Sequence, residues 1–210
     1  MATIELEAAT TDLLEGLPNR IHEVIGRHVA ATPDRVALID DSAALNYREL
    51  DRAVSGTADA LRALNIRAGD RVMIVSENCV ALACLLFAVF RLDAWAIVAN
   101  PRLSPRELDQ IRDHSGARRA FFTTDVSREA AAHASRYGAS VHDVGPLFGI
   151  GVSPLNENTS PEPVEADGAK QVAVRSLLDG ISMRPNIGQG RQVKGWTSGI
   201  GTDSPRTAAR

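Results

Sequence analysis

The chain has 210 residues, of which 44% are hydrophobic, 23% charged and 4% aromatic, with a formal charge of -3. That balance belongs to a globular chain able to bury about 70% of its unfolded surface around one core. It excludes a fibre, a disordered tail and a broadly basic binder of nucleic acid or anionic membrane.

The pattern along the chain predicts the following elements. Residues 1–18 are weakly patterned and end at Pro18, which reads as a flexible N-terminal arm. After Asn19, a fitting N-cap, Ile21, Val24, Ile25, His28 and Val29 recur at helical spacing, and the helix must stop before Pro33. Val36 to Ile39 is a short strand turned by Asp40 and Asp41. Asn46 caps a helix whose apolar stripe is Tyr47, Leu50, Val54, Ala58, Leu61 and Leu64. Val72 to Val75 is a buried strand, and Ser76-Glu77-Asn78 is expected to cap an apolar helix from about Cys79 to Arg91. Trp95 to Ala99 is a strand closed by Asn100-Pro101. Ser104, Pro105 and Glu107 open a helix through about His114. A strand over Ala120 to Thr123, a helix over Ser127 to Tyr137 and a strand over Ser140 to Val144 follow. Strand and helix alternate with short links, which means an α/β fold: a partial doubly wound, mainly parallel sheet with covering helices.

From 145 to 170 the pattern dissolves into a loop rich in proline and glycine, with Pro146, Pro154, Pro161 and Pro163. Gln171 to Val174 can open one more strand, and nothing periodic follows. Residues 171–210 carry a net +4, against -7 for everything before them. Composition there predicts an irregular, disordered tail, foreign to the fold through a frameshift, an insertion or a misread gene boundary.

Sites of familiar chemistry are mostly missing. The chain has no G-x-x-x-x-G-K-[ST] phosphate loop, no G-x-G-x-x-G and no G-x-S-x-G nucleophile elbow. Gly149-Ile150-Gly151 and Gly188-Gln189-Gly190 are fragments in loop-like surroundings. His22, His28, His114, His133 and His142 have no metal-ligand spacing with each other or with the cysteines. Cys79 and Cys84 match neither a zinc pair nor a redox pair and read as small buried thiols in a reducing cytoplasm. Asp70 and Glu77 bracket a strand whose carboxyl end is where ligands usually bind in parallel sheets; helix capping is the plainer role. Arg118-Arg119 reads as a solvated basic pair opening a strand. No catalytic, cofactor-binding or metal-binding residue is assigned. The apolar run Val80 to Phe90 has 11 residues, far short of the ~20 that a spanning helix needs. No signal peptide is visible, since Glu5, Glu7, Asp12 and Glu15 precede the first basic residue, Arg20. The expected compartment is therefore the cytoplasm.

The ordered segments nevertheless resemble a family. Asn46-Tyr47-Arg48-Glu49-Leu50, Gly69-Asp70-Arg71-Val72 with Ser76-Glu77-Asn78, and Asn100-Pro101-Arg102-Leu103 are similar, in order and spacing, to the N-terminal part of adenylate-forming acyl-CoA synthetases, the AMP-binding ligases. Ser104-Pro105-Arg106-Glu107-Leu108 and Asp113-His114-Ser115-Gly116-Ala117-Arg118 continue the match. The resemblance places the family's N-terminal α/β subdomain over 19–144 and covers roughly 19–174 in all. It implies a reaction joining a carboxylic acid to CoA through an acyl adenylate, with ATP, Mg²⁺ and CoA as the family's cofactors.

In that family the strand corresponding to Gln171–Val174 leads into a Thr-Ser-Gly-rich phosphate loop, whereas here Arg175-Ser176-Leu177 follows. Thr197-Ser198-Gly199-Ile200-Gly201 with Pro205-Arg206 is only a late echo of that loop. Three readings follow. The chain is a ligase fragment inactive alone, or a binding module docking through an unpaired sheet edge on a separately encoded remainder. In the third it is a small enzyme with its site in the tail. A half-built sheet further predicts marginal stability and self-association.

Overall fold

The computed structural model describes residue 18 and residues 20–164 and 174–176. The expected arm up to residue 17, the connection 165–173 and the tail after Ser176 lie outside the described residues.

Helix α1, Glu23–Ala31, ends where Thr32, at φ -145 and ψ 62, leaves the helical region ahead of Pro33, which the ring of a following proline favours. Strands β1, Val36–Ile39, and β2, Ala44–Asn46, form a two-stranded antiparallel sheet. The turn between them is built on Asp40, whose Oδ1 accepts hydrogen bonds from the backbone of Ser42 and of Ala43, each at 2.8 Å. Helix α2, Tyr47–Ala63, starts with a reciprocal box: Glu49 N–H donates to the Asn46 side chain and Asn46 N–H to the Glu49 carboxylate, both at 2.9 Å. Two of the helix's orphan donors are satisfied in this way. Its stripe of Leu50, Val54, Ala58 and Leu61 is buried.

The main sheet has six strands in the order β6-β7-β5-β3-β4-β8, with β3 Arg71–Val75, β4 Trp95–Ala99, β5 Arg119–Thr123, β6 Ser140–Val144, β7 Leu147–Val152 and β8 Val174–Ser176. The helices between them are α3, Val80–Arg91, α4, Pro105–Ser115, and α5, Arg128–Arg136. β3 lies parallel to both β4 and β5, and β8 adds parallel to β4. The chain therefore steps from β3 to β4 in one direction and then back past β3 to β5. A right-handed crossover must change faces when it changes direction. Accordingly α3 covers one face, with Leu85, Ala88 and Val89 against Val72, Ile74 and Phe121. Leu108 of α4 and Ala134 of α5 cover the other, against Met73, Val75 and Phe122. Phe121 and Phe122 are fully buried on opposite faces, each worth about 1.5–3 kcal/mol in burial.

The doubly wound α/β reading holds, with corrections. Residues 147–152 form strand β7, where a loop over 145–170 was expected. β7 lies antiparallel to β5 and carries β6, antiparallel again, on its outer side. Gly145 and Pro146 are the hairpin turn rather than the start of a long loop, and Gly149 and Gly151 dilute the apolar alternation that marks a strand. Gly145 has φ +66, and a Cβ there would sit 2.5 Å from the Gly56 carbonyl carbon. The turn thus rests directly on the backbone of α2, which a side chain at 145 would prevent. Strand β2 has no sequence counterpart, being too short for its alternation to register.

Candidate functional site

In an open α/β sheet the crevice lies beyond the carboxyl ends of two neighbouring strands whose connections leave in opposite directions along the sheet. Here those strands are β3, followed by α3, and β5, followed by α5. The residues at their ends are Ser76 and Thr123, both buried. Thr123 Oγ1 donates to Ser76 Oγ at 2.9 Å, and Ser76 Oγ donates to the Glu77 carbonyl at 2.7 Å. The Cys79 sulfur lies 3.6 Å from Ser76 Oγ.

Cys79, rather than Ser76-Glu77-Asn78, is the N-cap of α3: its Sγ accepts from Leu82 N–H at 3.4 Å. Asp40 reaches across from the β1–β2 turn, and its Oδ2 accepts from Val80 N–H at 2.7 Å. The backbone of Val80, the Ser42 hydroxyl and the Ser42 and Ala43 amides hold the Asp40 carboxyl well below the usual carboxylate range. A helix N-terminus next to a sheet is a natural seat for a phosphate, but this one already holds a carboxylate of the chain's own.

The loop after β4 completes this edge. Asn100 Oδ1 accepts from Arg102 N–H at 2.9 Å, and Arg102 pairs with Glu77 at 3.1 Å. Beneath it, His133 of α5 is buried with Nε2 at 3.1 Å from the carbonyls of both Pro101 and Leu103. Two acceptors require a protonated Nε2, so the ring is an N–H donor that ties the loop to α5.

The opposite edge holds the charge. Asp70 is 1% exposed. Its carboxylate accepts from Arg67 N–H at 2.7 Å, from Arg67 Nε and Nη2 at 3.1 and 2.9 Å, and pairs with Arg118 Nε at 3.2 Å. Arg118 Nε also donates to the Asn65 carbonyl at 2.9 Å, and Arg119 donates to the carbonyls of Leu64 and Ser153 at 2.8 and 2.6 Å. Arg118, buried, and Arg119, half-buried, are thus clamps rather than the solvated pair expected. Periodicity carries no sign of this, because the partners are loop carbonyls distant in sequence.

A strap over residues 154–164 crosses under the same edge. Glu162 N–H donates to the Gly69 carbonyl at 2.8 Å, its carboxylate takes Arg71 Nη1 at 2.8 Å, and Asn156 N–H donates to the Arg118 carbonyl at 2.8 Å. Gly69, at φ +78, is the notch that admits it: a Cβ there would lie 2.0 Å from Glu162 O.

The remaining candidates are structural. His28 stacks on Tyr47 with ring centroids 4.5 Å apart. Burial lowers the His22 pKa, with Arg91 adding to it. His142 is exposed on β6, and His114 lines a groove beside β4. Cys84 is a buried free thiol, pushed up to about 11 by burial and, second, by Cys79. Tyr137 lies between Arg112 and Arg136, 5.1 and 4.7 Å from its ring. Burial first, then the Asp109 carboxylate, push its hydroxyl up to about 12. Among the described residues no group of three His, Cys, Asp or Glu can hold a metal ion, and no helix is long and apolar enough to cross a membrane. The tail echo at Thr197–Gly201 with Pro205-Arg206, and Gly188-Gln189-Gly190, lie outside the described residues.

Fold and edge geometry together define an open, doubly wound α/β subdomain whose switch-point crevice is closed by its own hydroxyls. The AMP-binding enzyme family matches residues 25–175, and the chain belongs to that family, as the motifs around Asn46, Asp70 and Asn100 imply. The 2-hydroxy-7-methoxy-5-methyl-1-naphthoate--CoA ligase of Streptomyces carzinostaticus is 31% identical over 196 residues, 89% of this chain and 34% of the relative. Feruloyl-CoA synthase of an Amycolatopsis species is 35% identical over 159 residues, 76% of this chain and 30% of the relative. Among solved structures, a Mycobacterium tuberculosis fatty acyl CoA synthetase shares the fold with a TM-score of 0.51 at 24% identity, over 58% of this chain and 24% of that one. The chain spans about a third of the length of the curated relatives it matches.

Proposed function

We propose that this chain is the N-terminal scaffold of an acid–CoA ligase acting on an aromatic carboxylic acid in the cytoplasm, and that it does not turn over by itself. The family reaction converts acid, ATP and CoA to acyl-CoA, AMP and pyrophosphate, with Mg²⁺ on the phosphates. The aromatic substrate class rests on the naphthoate and ferulate relatives.

One observation carries the reading of inactivity: the polar groups at the carboxyl edge are already engaged with one another. Asp40 occupies the α3 N-terminus, Thr123 bonds Ser76, and Glu77 holds Arg102. Acyl adenylation requires donors and cations aimed at developing phosphate charge. The described residues do not fit ATP phosphates or Mg²⁺, so no step of the reaction is assigned to them.

The test is ATP–pyrophosphate exchange by the purified chain with a panel of benzoic, cinnamic and naphthoic acids. The expected rate is that of the acid-free control. Exchange that depends on an aromatic acid overturns the claim of inactivity; exchange with fatty acids alone overturns the substrate class.

A further inference from the structure

A groove of about 700 Å³ runs along α4 beside β4, with Val98, Ala99, Leu103 and Ile111 on its apolar side and Glu107, Asp113 and His114 at its rim. We propose that a second copy of this chain seats its own α4 in the groove, the two helices antiparallel and centred on Gln110.

Charge carries the proposal. Residues seven apart lie in one row along a helix, about 10 Å from each other. Arg106 and Asp113 make one such row and Glu107 and His114 the next, and all four are exposed. A two-fold axis between antiparallel helices brings each row against its own inverted copy. Arg106 then meets Asp113 of the second copy, Glu107 meets its His114, and each contact occurs twice. The midpoints of both rows fall within half a residue of Gln110, so one register satisfies every pair. Each carboxylate also has an oxygen to spare. Both hydrogen bonds from Ser104 go to Glu107 Oε2, at 2.8 and 2.6 Å, and both Arg112 contacts go to Asp113 Oδ1, at 2.8 Å. Glu107 Oε1 and Asp113 Oδ2 accept no hydrogen bond among the described residues. The Ser104 hydroxyl and N–H hold the Glu107 carboxyl below its ordinary range, which keeps it an anion at neutral pH. Ile111, half-buried beside the axis, supplies the apolar centre. An open apolar groove is an association hazard; self-complementary charge turns it into one defined contact. A face of this size makes a transient dimer, not an obligate one. The proposal is independent of ligase activity.

The test is sedimentation velocity of the full chain over a wide range of concentration, for wild type, Arg106→Asp and Asp113→Arg. Wild type is expected to pass from monomer to dimer as concentration rises. Either variant alone sets like charges opposite each other at both copies of the contact and should weaken the dimer by about tenfold. Both positions are exposed, so neither substitution disturbs the core. An equimolar mixture of the two variants restores opposite charges at both contacts and should recover wild-type association. A wild type that stays monomeric, or a dimer that survives both substitutions, gives the groove to another occupant and overturns the proposal. Loss in each variant without recovery in the mixture overturns the antiparallel register, and the proposal with it.

Discussion

The two edges of the sheet are built from different chemistry. At the amino edge, the buried pair of Asp70 and Arg118 sits at the centre of a charged network, and Arg67, Arg71 and Arg119, more open to water, extend it to Glu162 and loop carbonyls. At the carboxyl edge most polar contacts run between hydroxyls, a thiol, an imidazole N–H and backbone carbonyls brought together from separate elements, beside the Asp40 cap, and the Arg102 side of the Glu77–Arg102 pair is largely open to water. A buried ion cluster fixes geometry because losing one partner strands the others in a low dielectric. Neutral bonds can be rearranged at smaller cost. The amino edge therefore holds the strands in place, and the carboxyl edge is the easier of the two to rearrange.

The sharpest way to break that contrast is Asp70→Asn. It leaves Arg118 buried without its counter-charge and is expected to destabilise the chain by about 3–5 kcal/mol, read by urea denaturation. A loss below 1 kcal/mol would mean the amino edge is no anchor. Next, Gly69→Ala puts a Cβ against Glu162 O at a positive φ, for a cost of about 1–3 kcal/mol. It should also release the strap, seen as faster proteolysis between residues 154 and 164.

On the other edge, His133→Ala removes one donor shared by two carbonyls, for about 1–2 kcal/mol. It should speed amide exchange at 100–104 while leaving Asn156 and Glu162 protected; loosening of both edges together would erase the distinction.

The smallest effect is expected for Asp40→Asn, and it depends on pH. The folded carboxyl titrates below its unfolded value of about 3.9, because backbone and hydroxyl donors hold the anion. Its contribution is therefore present above that unfolded value and is lost as pH falls through the lower, folded one. Wild type should be the more stable at pH 7, with the difference shrinking below pH 4; a difference that grows on acidification would contradict the cap.

Most of the fold is legible in the sequence because its signals are local. The Asn46/Glu49 and Ser104/Glu107 boxes, the Ala99–Asn100–Pro101 break and the buried runs of β3 and β4 announce themselves within a few residues. What escaped detection depends on distance along the chain. β7 hides because its glycines read as loop, although one faces α5 and the other the Asp125 side chain. Arg118-Arg119 looks solvated because its acceptors stand more than thirty residues away. The Asp40 cap of α3 spans forty residues, and only the acid at a turn hinted at it. The family was legible for the opposite reason, since each of its motifs is a short local element.

The strand order carries a consequence for synthesis. β3, β4 and β5 sit side by side at the centre and come from one continuous stretch, residues 71–123. Every other strand of the main sheet is added later in the chain: the β6–β7 hairpin on one flank, then β8 on the other after the strap has crossed. Chains emerge from the ribosome N-terminal part first, so the sheet can grow outward from a finished middle. β4, already paired with β3, waits only for β8 on its outer side. A nascent chain whose first 123 residues have cleared the ribosome should already hold its three-stranded centre, with α2 and α3 seated on it.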